Sequence, residues 1–528
     1  MSAAALAPSL QGACARWGSR PALTHGGRTL TYAELWERIL ALSAAYRSLG
    51  IRRGDRVVCQ LPVCPEHLIA AGAAWASGAI HVGAHRDLTG MELAALVERT
   101  QAAAVVHQPP PGLAEPLAPL ETVRAAHPSV VAIAHEQRAP TGAHSLSELL
   151  AYSTPAPPST PDDIALLLLT SGTTGRPKAV METLPALWAK MQFFADALTP
   201  GPDDVHLMYL PINHVFGLKL TLMALASGGR VVLLDRYSPR VALRLADEHR
   251  VTILPATPTH LTLLLRDLDG RRLPALRWIA SAAAPLPPAL AEEAYDRLGV
   301  ELMQVYGCSE GFLTLTTDPE DIRRGTAGRT VFRGPPGSPP TGSVAILDPQ
   351  GPRPLPPGEV GEIAYGTRRP VRFWGEPPAG ADGWYRTGDL GSLDRDGRLA
   401  VSGRLKEVVN RGGLKVPCAE LEAALAAHPG VAECAVVPTP DAVLGEAICA
   451  CVVSPGRSPT LAEVRASLAG RLARHKLPDE LCVLDVLPRS ALGKLDRSAL
   501  AALVVTADLS RERLRARGQR SPAGQPGA

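Results

Sequence analysis

Short apolar runs alternate along the chain with stretches in which apolar residues return every three or four positions. RVVCQLPV reads as a strand, PEHLIAAGAAWASG as a helix ending at glycine, and AIHVGA as the next strand. GGRVVLLDR, VTILPAT, LRWIASAA and VELMQVYG are further strands with helical stretches between them. This alternation predicts an α/β architecture. In LPALWAKMQFFADAL, Leu187, Met191, Phe194 and Leu198 form one apolar stripe, which predicts a helix packed on a core. The pattern changes after about Arg333. RGPPGSPPTGSVAILDPQGPRPLPPGEVGEIAYG is dense in Pro and Gly, which predicts a small β-rich subdomain. A compact α+β unit then runs to about Ala502, with helices at CAELEAALAAHPG and LAEVRASLAGRLARHK and strands at AECAVVPT and AICACVVS. The tail from 506 to 528 is basic and then rich in Pro and Gly, so disorder is expected, with a helix extended over Leu509–Leu514 as the alternative.

Length and charge narrow the class. At 528 residues the chain exceeds what one core supports, so two or more domains are expected. A net charge of +3 gives no argument for nucleic acid or an acidic membrane surface. The most apolar window, His67–His85, is built from Ala and Gly and interrupted by Ser77 and His81; it reads as a core helix entering a strand, not a membrane span. The first 20 residues lack the basic stretch and apolar core of a targeting segment. Nine scattered cysteines point to a reducing compartment, hence a cytoplasmic protein. Cys449-Ala-Cys451 reads as two same-face positions of a strand, not half of a metal site.

LLLLTSGTTGRPKAV, from Leu166 to Val180, stops an apolar run in a cluster of small polar residues. Glycines let backbone N–H groups converge on an anion, hydroxyls add donors, and Lys178 adds a charge suited to polyphosphate. A Ser/Thr/Gly surface turn has the same composition. The glycine–lysine spacing is not that of a P-loop, and no dinucleotide fingerprint is present.

LTSGTTGRPKAV resembles the phosphate-loop signature of the adenylate-forming superfamily, which holds acyl-CoA synthetases, peptide-synthetase adenylation domains and firefly luciferases. Other segments resemble its signatures in the family's order: LTYAEL, GIRRGDRVV, LPINHVFGL, SAAAPL, VYGCSEG, GWYRTGDLG, GRLKEVVNRGGLKV and PRSALGKLDRSAL. The resemblance covers about Ala22 to Leu500. It implies a large domain over 1–403, made of two α/β subdomains and the β-rich one. A hinge over 404–406, a mobile α+β domain over 407–505 and the tail would follow.

The resemblance implies a two-step reaction. A carboxylate attacks the α-phosphate of ATP and releases pyrophosphate; a thiol then attacks the acyl-adenylate and releases AMP. Thr170, Ser171, Gly172, Thr173, Thr174, Gly175 and Lys178 would hold the leaving phosphates. Glu310 would bind Mg²⁺, with Ser309 beside it. Ala283, Ala284, Pro285, Tyr306 and Gly307 would contact adenine, and Asp389 the ribose hydroxyls. Arg404 would approach phosphate or ribose. Lys494 would meet the attacking carboxylate and the α-phosphate. Lys406 would be the hinge and Gly413 would flank the pantetheine entrance. His214 would lie between the acyl pocket and the thiol route, the alternative being a histidine that caps the following helix. His214, Phe216, Lys219, Ala282 and Gly307 are the implied acyl pocket. Lys219 lies at i, i+3 from Phe216. The ordinary expectation is that it snorkels out of its helix; the other is that it pairs with a second polar group of the substrate.

Four positions depart from the family pattern: Ala179 and Ala282 replace common glycines, Leu184 a common histidine and Leu492 a common threonine. The acid is therefore left open among aromatic, medium-chain and natural-product acids. The implied acceptor is coenzyme A, with a carrier-protein phosphopantetheine as the alternative. Oligomeric state is not readable.

Overall fold

The computed structural model describes residues 6–108, 117–135, 141–151, 163–170, 178–330, 343–367, 370–405, 407–411, 414–441, 444–469, 472, 474–489, 494–506 and 511–513. Two compact units divide the chain. The first comprises Met1–Ala345, Ala364–Tyr385 and Asp394–Ala400, and the second Ile346–Ile363, Arg386–Leu393 and Val401–Ala528.

The first unit holds two nine-stranded sheets. One runs Glu376–Ala379, Val371–Phe373, Ala179–Thr183, Ile164–Leu169, Ile80–Gly83, Arg56–Gln60, Ala102–His107, Val131–Ala134, His144–Ser145. The other runs Arg329–Thr330, Phe312–Thr316, Glu301–Gly307, Trp278–Ser281, Ile253–Ala256, Val205–Met208, Arg230–Leu233, Pro21–His25, Arg28–Thr31. The centre of each sheet is parallel, and parallel strands covered on both faces need apolar residues at nearly every position. The Leu run before the phosphate-loop motif obeys that need. Leu166 and Leu168 enter one hydrophobic cluster and Leu167 the other. Val57 and Cys59 divide from Val58 in the same way.

Local signals set the helix ends. Pro65–Ser77 stops where Gly78 takes φ 77°, and Ile80–Gly83 follows as a strand. Among the described residues no helix is long and apolar enough to cross a membrane. Leu184–Leu198 starts at Thr183, whose hydroxyl accepts the Ala186 N–H, with Pro185 in the first turn. Its buried residues are the expected four with Ala195. Val215–Ala226 is buried at every position, as expected of a helix apolar on all sides. Lys219 is buried with it, at 3% exposure. The expected snorkelling does not occur, because this helix presents no face to solvent.

The second unit carries a sheet in the order Leu414–Pro417, Val408–Arg411, Gly445–Val453, Glu480–Val483, Arg511–Arg513, with Glu433–Asp441 also paired to Gly445–Val453. Cys418–Leu425, Leu461–Leu468 and Arg497–Thr506 are its helices. Two sequence expectations need correction. The helix from Leu461 ends at Leu468, where Ala469 turns extended (φ −63°, ψ 129°) ahead of the poor helix former Gly470. In the tail, Arg511–Arg513 form neither coil nor helix but an edge strand antiparallel to Glu480–Val483, whose backbone groups it pairs. Cys449, Cys451 and Cys482 are fully buried in a small apolar cluster, with Cys451 in register with Cys482.

Candidate active site

The first unit gathers its candidate residues where parallel strands end. Trp278–Ser281 and Glu301–Gly307 are neighbours, with Ser281 opposite Gln304. Ala282–Pro285 and Cys308–Glu310 therefore leave adjacent strands at the same, carboxyl end, and Tyr306 and Gly307 close the second strand there. Ligands of open α/β sheets bind at such an edge. Cys308 and Gly311 exchange backbone hydrogen bonds of 2.9 and 3.3 Å, which folds Ser309 and Glu310 into a tight turn. A Cβ on Gly311 would stand 2.4 Å from the Tyr365 ring, so glycine is required for this approach.

Ala283 holds φ 75°, in the left-handed region. That conformation costs a non-glycine residue about 1–2 kcal/mol. Glycine would remove the strain, while its freer unfolded chain takes back about 0.4–1 kcal/mol. Ala283→Gly is expected to raise stability by up to about 1 kcal/mol. Calorimetry measures this; an unchanged or lower Tm would show that the backbone is not strained there.

The phosphate-loop motif springs from paired strands. Ile164–Leu169 and Ala179–Thr183 are antiparallel, Leu169 stands opposite Ala179, and the Thr170 N–H donates to the Lys178 carbonyl at 2.8 Å. The intervening loop thus leaves and returns at one point. Ser171, Gly172, Thr173, Thr174 and Gly175 lie outside the described residues. Lys178 is half-buried, 3.5 Å from Glu376 and 5.0 Å from the Phe373 ring centroid.

His214, Phe216 and Lys219 share one helix. The His214 ring caps its first turn by accepting the Phe216 N–H at 3.4 Å, so the capping alternative is the geometry present. Phe216 is buried, its ring 6.2 Å from that of Phe194. A Cβ on Gly217 would lie 2.4 Å from the Pro211 carbonyl oxygen and 2.9 Å from that of Leu210. Gly217→Ala should therefore push this helix start away and cost about 1–3 kcal/mol. Urea unfolding measures the loss; a wild-type midpoint would show that the segment yields freely.

The second unit brings together Asp389, Arg404 and Lys494. Asp389 lies on Trp384–Leu393, next to Leu399–Arg404 in a four-stranded sheet. Asp389 is buried, and its carboxylate pairs with the Arg404 guanidinium at 2.9 Å. Surrounding protein and then the Arg404 charge lower the Lys494 pKa, while Asp389 partly restores it. The Lys494 side chain keeps solvent access. Its loop is pinned at the base: Arg489 bridges Leu495, and the Asp496 N–H donates to the Pro488 carbonyl.

Sequence reasoning passed over Arg497. It binds Glu422 through two parallel hydrogen bonds of 2.6 and 2.8 Å and Glu407 at 3.0 Å, and so fixes the loop three residues after Lys494. The sole local signal was an Asp-Arg pair directly after the lysine segment. Lys406 and Gly413 lie outside the described residues.

The fold and these clusters match a known class. The AMP-binding enzyme family matches residues 10–370, and the AMP-binding enzyme C-terminal domain matches residues 420–494. The chain is 35% identical over 514 residues to the 2-hydroxy-7-methoxy-5-methyl-1-naphthoate–CoA ligase of Streptomyces carzinostaticus, covering 91% of this chain and 89% of that protein. It is 33% identical to the salicyl-AMP ligase / salicyl-S-ArCP synthetase of Mycobacterium tuberculosis, covering 93% and 89%. The ATP-bound crystal structure of MatB from Rhodopseudomonas palustris superposes with a TM-score of 0.82 at 27% identity, covering 95% and 99%. The protein is an adenylate-forming enzyme of mixed α/β fold, with a large N-terminal and a small C-terminal domain. It belongs to the AMP-binding enzyme family and is an acid–thiol ligase, converting a carboxylic acid to its acyl-adenylate with ATP before transfer to a thiol.

Proposed function

We propose that the protein activates an aromatic carboxylic acid with ATP and Mg²⁺ and passes the acyl group to coenzyme A in the cytoplasm. The observation that carries the mechanism is the grouping of Lys494 with the Asp389–Arg404 pair. One carboxylate oxygen of the acid attacks the α-phosphorus and pyrophosphate leaves. Lys494 meets the attacking carboxylate and offsets the charge gathering on the α-phosphate oxygens. Asp389 accepts from the ribose hydroxyls with the lone pairs that Arg404 leaves open. Thr170 and Lys178, with the loop between them, hold the leaving pyrophosphate; Lys178 exchanges Glu376 for phosphate oxygens. Tyr306 and the 283–285 segment flank adenine.

Mg²⁺ fits the donors present. A magnesium ion bound to nucleotide needs one or two carboxylates besides phosphate oxygens, and Glu310 offers one from its tight turn. Among the described residues no group of three or more His, Cys, Asp or Glu competes as a metal site. When bound, the ion would neutralise the phosphate oxygens.

For the second half, the small domain would turn about Lys406 and admit the thiol past Gly413. The thiolate then attacks the acyl carbonyl and AMP leaves. The names of the two relatives, a naphthoate and a salicyl ligase, support an aromatic acid, and Phe216 supports an aromatic-lined pocket. The salicyl relative's ArCP synthetase name also favours a second reading, delivery to a carrier protein. None of the nine cysteines is in a disulfide, which supports a reducing compartment.

Pyrophosphate release across a panel of carboxylic acids tests the activation step. The same assay with coenzyme A or a phosphopantetheinyl carrier protein, read as thioester, decides the acceptor. Release with no acid in the panel would end the proposal.

A further inference from the structure

Lys219 sits in the middle of a wholly buried helix, where lysine is rare. The charged and titratable groups facing it are Lys190 from helix Leu184–Leu198, Glu182 from strand Ala179–Thr183, and Cys308 from the turn after strand Glu301–Gly307. Glu182 is itself buried and pairs with Lys190 at 2.5 Å. One carboxylate thus stands among two ammonium groups. With both lysines protonated the cluster carries one positive charge in excess, and an uncompensated buried charge is strongly disfavoured. Two remedies exist: Lys219 gives up its proton, or an anion arrives. Cys308 lies between Gly307 and Ser309, so the cluster adjoins the segment proposed above to meet substrate and metal.

We infer that Lys219 reads a second acidic oxygen on the substrate, so that preferred acids carry a carboxylate or phenol besides the reacting carboxylate. The inference rests on the aromatic-acid function proposed above. The second oxygen supplies the negative charge, or the acceptor, that the cluster lacks, and the reacting carboxylate remains free for ATP. An acid without that oxygen leaves the lysine desolvated and unpaired, and is rejected for that reason. Burial, then the like charge of Lys190, lowers the Lys219 pKa to about 7, with Glu182 and Cys308 opposing. An acid that needs the ammonium must therefore bind less well above pH 7.

The test is ATP–pyrophosphate exchange with three acids on one aromatic skeleton: the parent monocarboxylate, its hydroxyl derivative and its dicarboxylate. Wild type is expected to favour at least one of the two substituted acids by about 30-fold or more in kcat/KM. Lys219→Met should erase that preference, its kcat/KM falling further with the favoured acid than with the parent. The larger loss of the two arms identifies the oxygen that Lys219 reads. In wild type, the KM of that acid should rise up to about tenfold per pH unit above pH 7, with the parent's KM flat. This second readout decides the matter even where Lys219→Met does not fold. An equal fall with all three acids in the variant would make Lys219 structural and overturn the inference, as would a wild type that shows no preference. Absence of exchange with every acid would instead overturn the aromatic-acid function proposed above and this inference with it.

Discussion

Lys494→Ala should lower the rate of acyl-adenylate formation by about 10²–10³-fold and leave thioester formation from supplied acyl-AMP nearly unchanged. The asymmetry follows from where charge develops. In the first half two anions are driven together, and negative charge grows on the α-phosphate oxygens. A preplaced ammonium acts at that moment and not when a thiolate attacks a carbonyl that is already activated. The surroundings of Lys494 suit the role proposed for it. Arg404 is tied to Asp389, Arg497 is tied to Glu422 and Glu407, and the loop is closed at its base by the Arg489–Leu495 bridge. The lysine is thus held without being consumed by an ion pair of its own among the described residues. Pyrophosphate release gives the first rate, and a quenched thioester assay with synthetic acyl-AMP gives the second. Equal losses in both would remove Lys494 from its assigned role. Arg497→Met provides the contrast: it acts by position alone, so its first-half defect should come with a lower Tm, which Lys494→Ala should not show.

Much of this arrangement was readable because it is local. The unbroken run before the phosphate-loop motif reads as a buried strand since both faces of a parallel sheet demand apolar residues, and Leu166, Leu167 and Leu168 divide between two clusters accordingly. The stripe of Leu187, Met191, Phe194 and Leu198 faces the core as its spacing requires. The misses are non-local. Lys219 was expected at the surface because long side chains ordinarily reach water; burial of its helix at every position removes that route. Arg497 finds Glu422 across 75 residues of sequence, a separation that no periodicity reveals. The edge strand Arg511–Arg513 exists because Glu480–Val483 offers an unpaired edge, which the composition of a basic tail does not announce. For Ser171–Gly175, Lys406 and Gly413 the assignment rests on the resemblance of their segments alone.

The first unit is expected to unfold on mild acidification, between about pH 6 and pH 4, ahead of ordinary carboxylate titration. Four of its histidines are held neutral by burial. His81 is pushed down to about 3 by desolvation and then by the nearby His67; His67, His206 and His260 are each pushed down to about 4, chiefly by desolvation. His67 and His81 lie 5.6 Å apart between ring centroids, and among the described residues neither nitrogen of His81 has a hydrogen-bond partner. Protonating either ring in place would bury an unpaired cation. Since the folded pKa values lie below the unfolded value of 6.5, the stabilisation is complete above that value. It is lost as pH falls, because the unfolded chain binds the protons first. Each such histidine costs about 1.4 kcal/mol per pH unit inside its window, so four together approach about 5 kcal/mol per unit. A total stability of about 5–15 kcal/mol is exhausted within two or three units. His25 opposes the trend, because Asp235 raises its pKa and its contribution persists at low pH, but it is one group against four. Glu463, in the second unit, has its pKa lowered to about 2 and loses its contribution only below about 4.5, so it does not share in this transition. Circular dichroism against pH gives the midpoint. His81→Phe, which keeps an aromatic ring against Trp75, should move that midpoint to lower pH and flatten the slope. A wild-type midpoint below pH 4, or one that the substitution leaves in place, would show that these rings are not what acid attacks first.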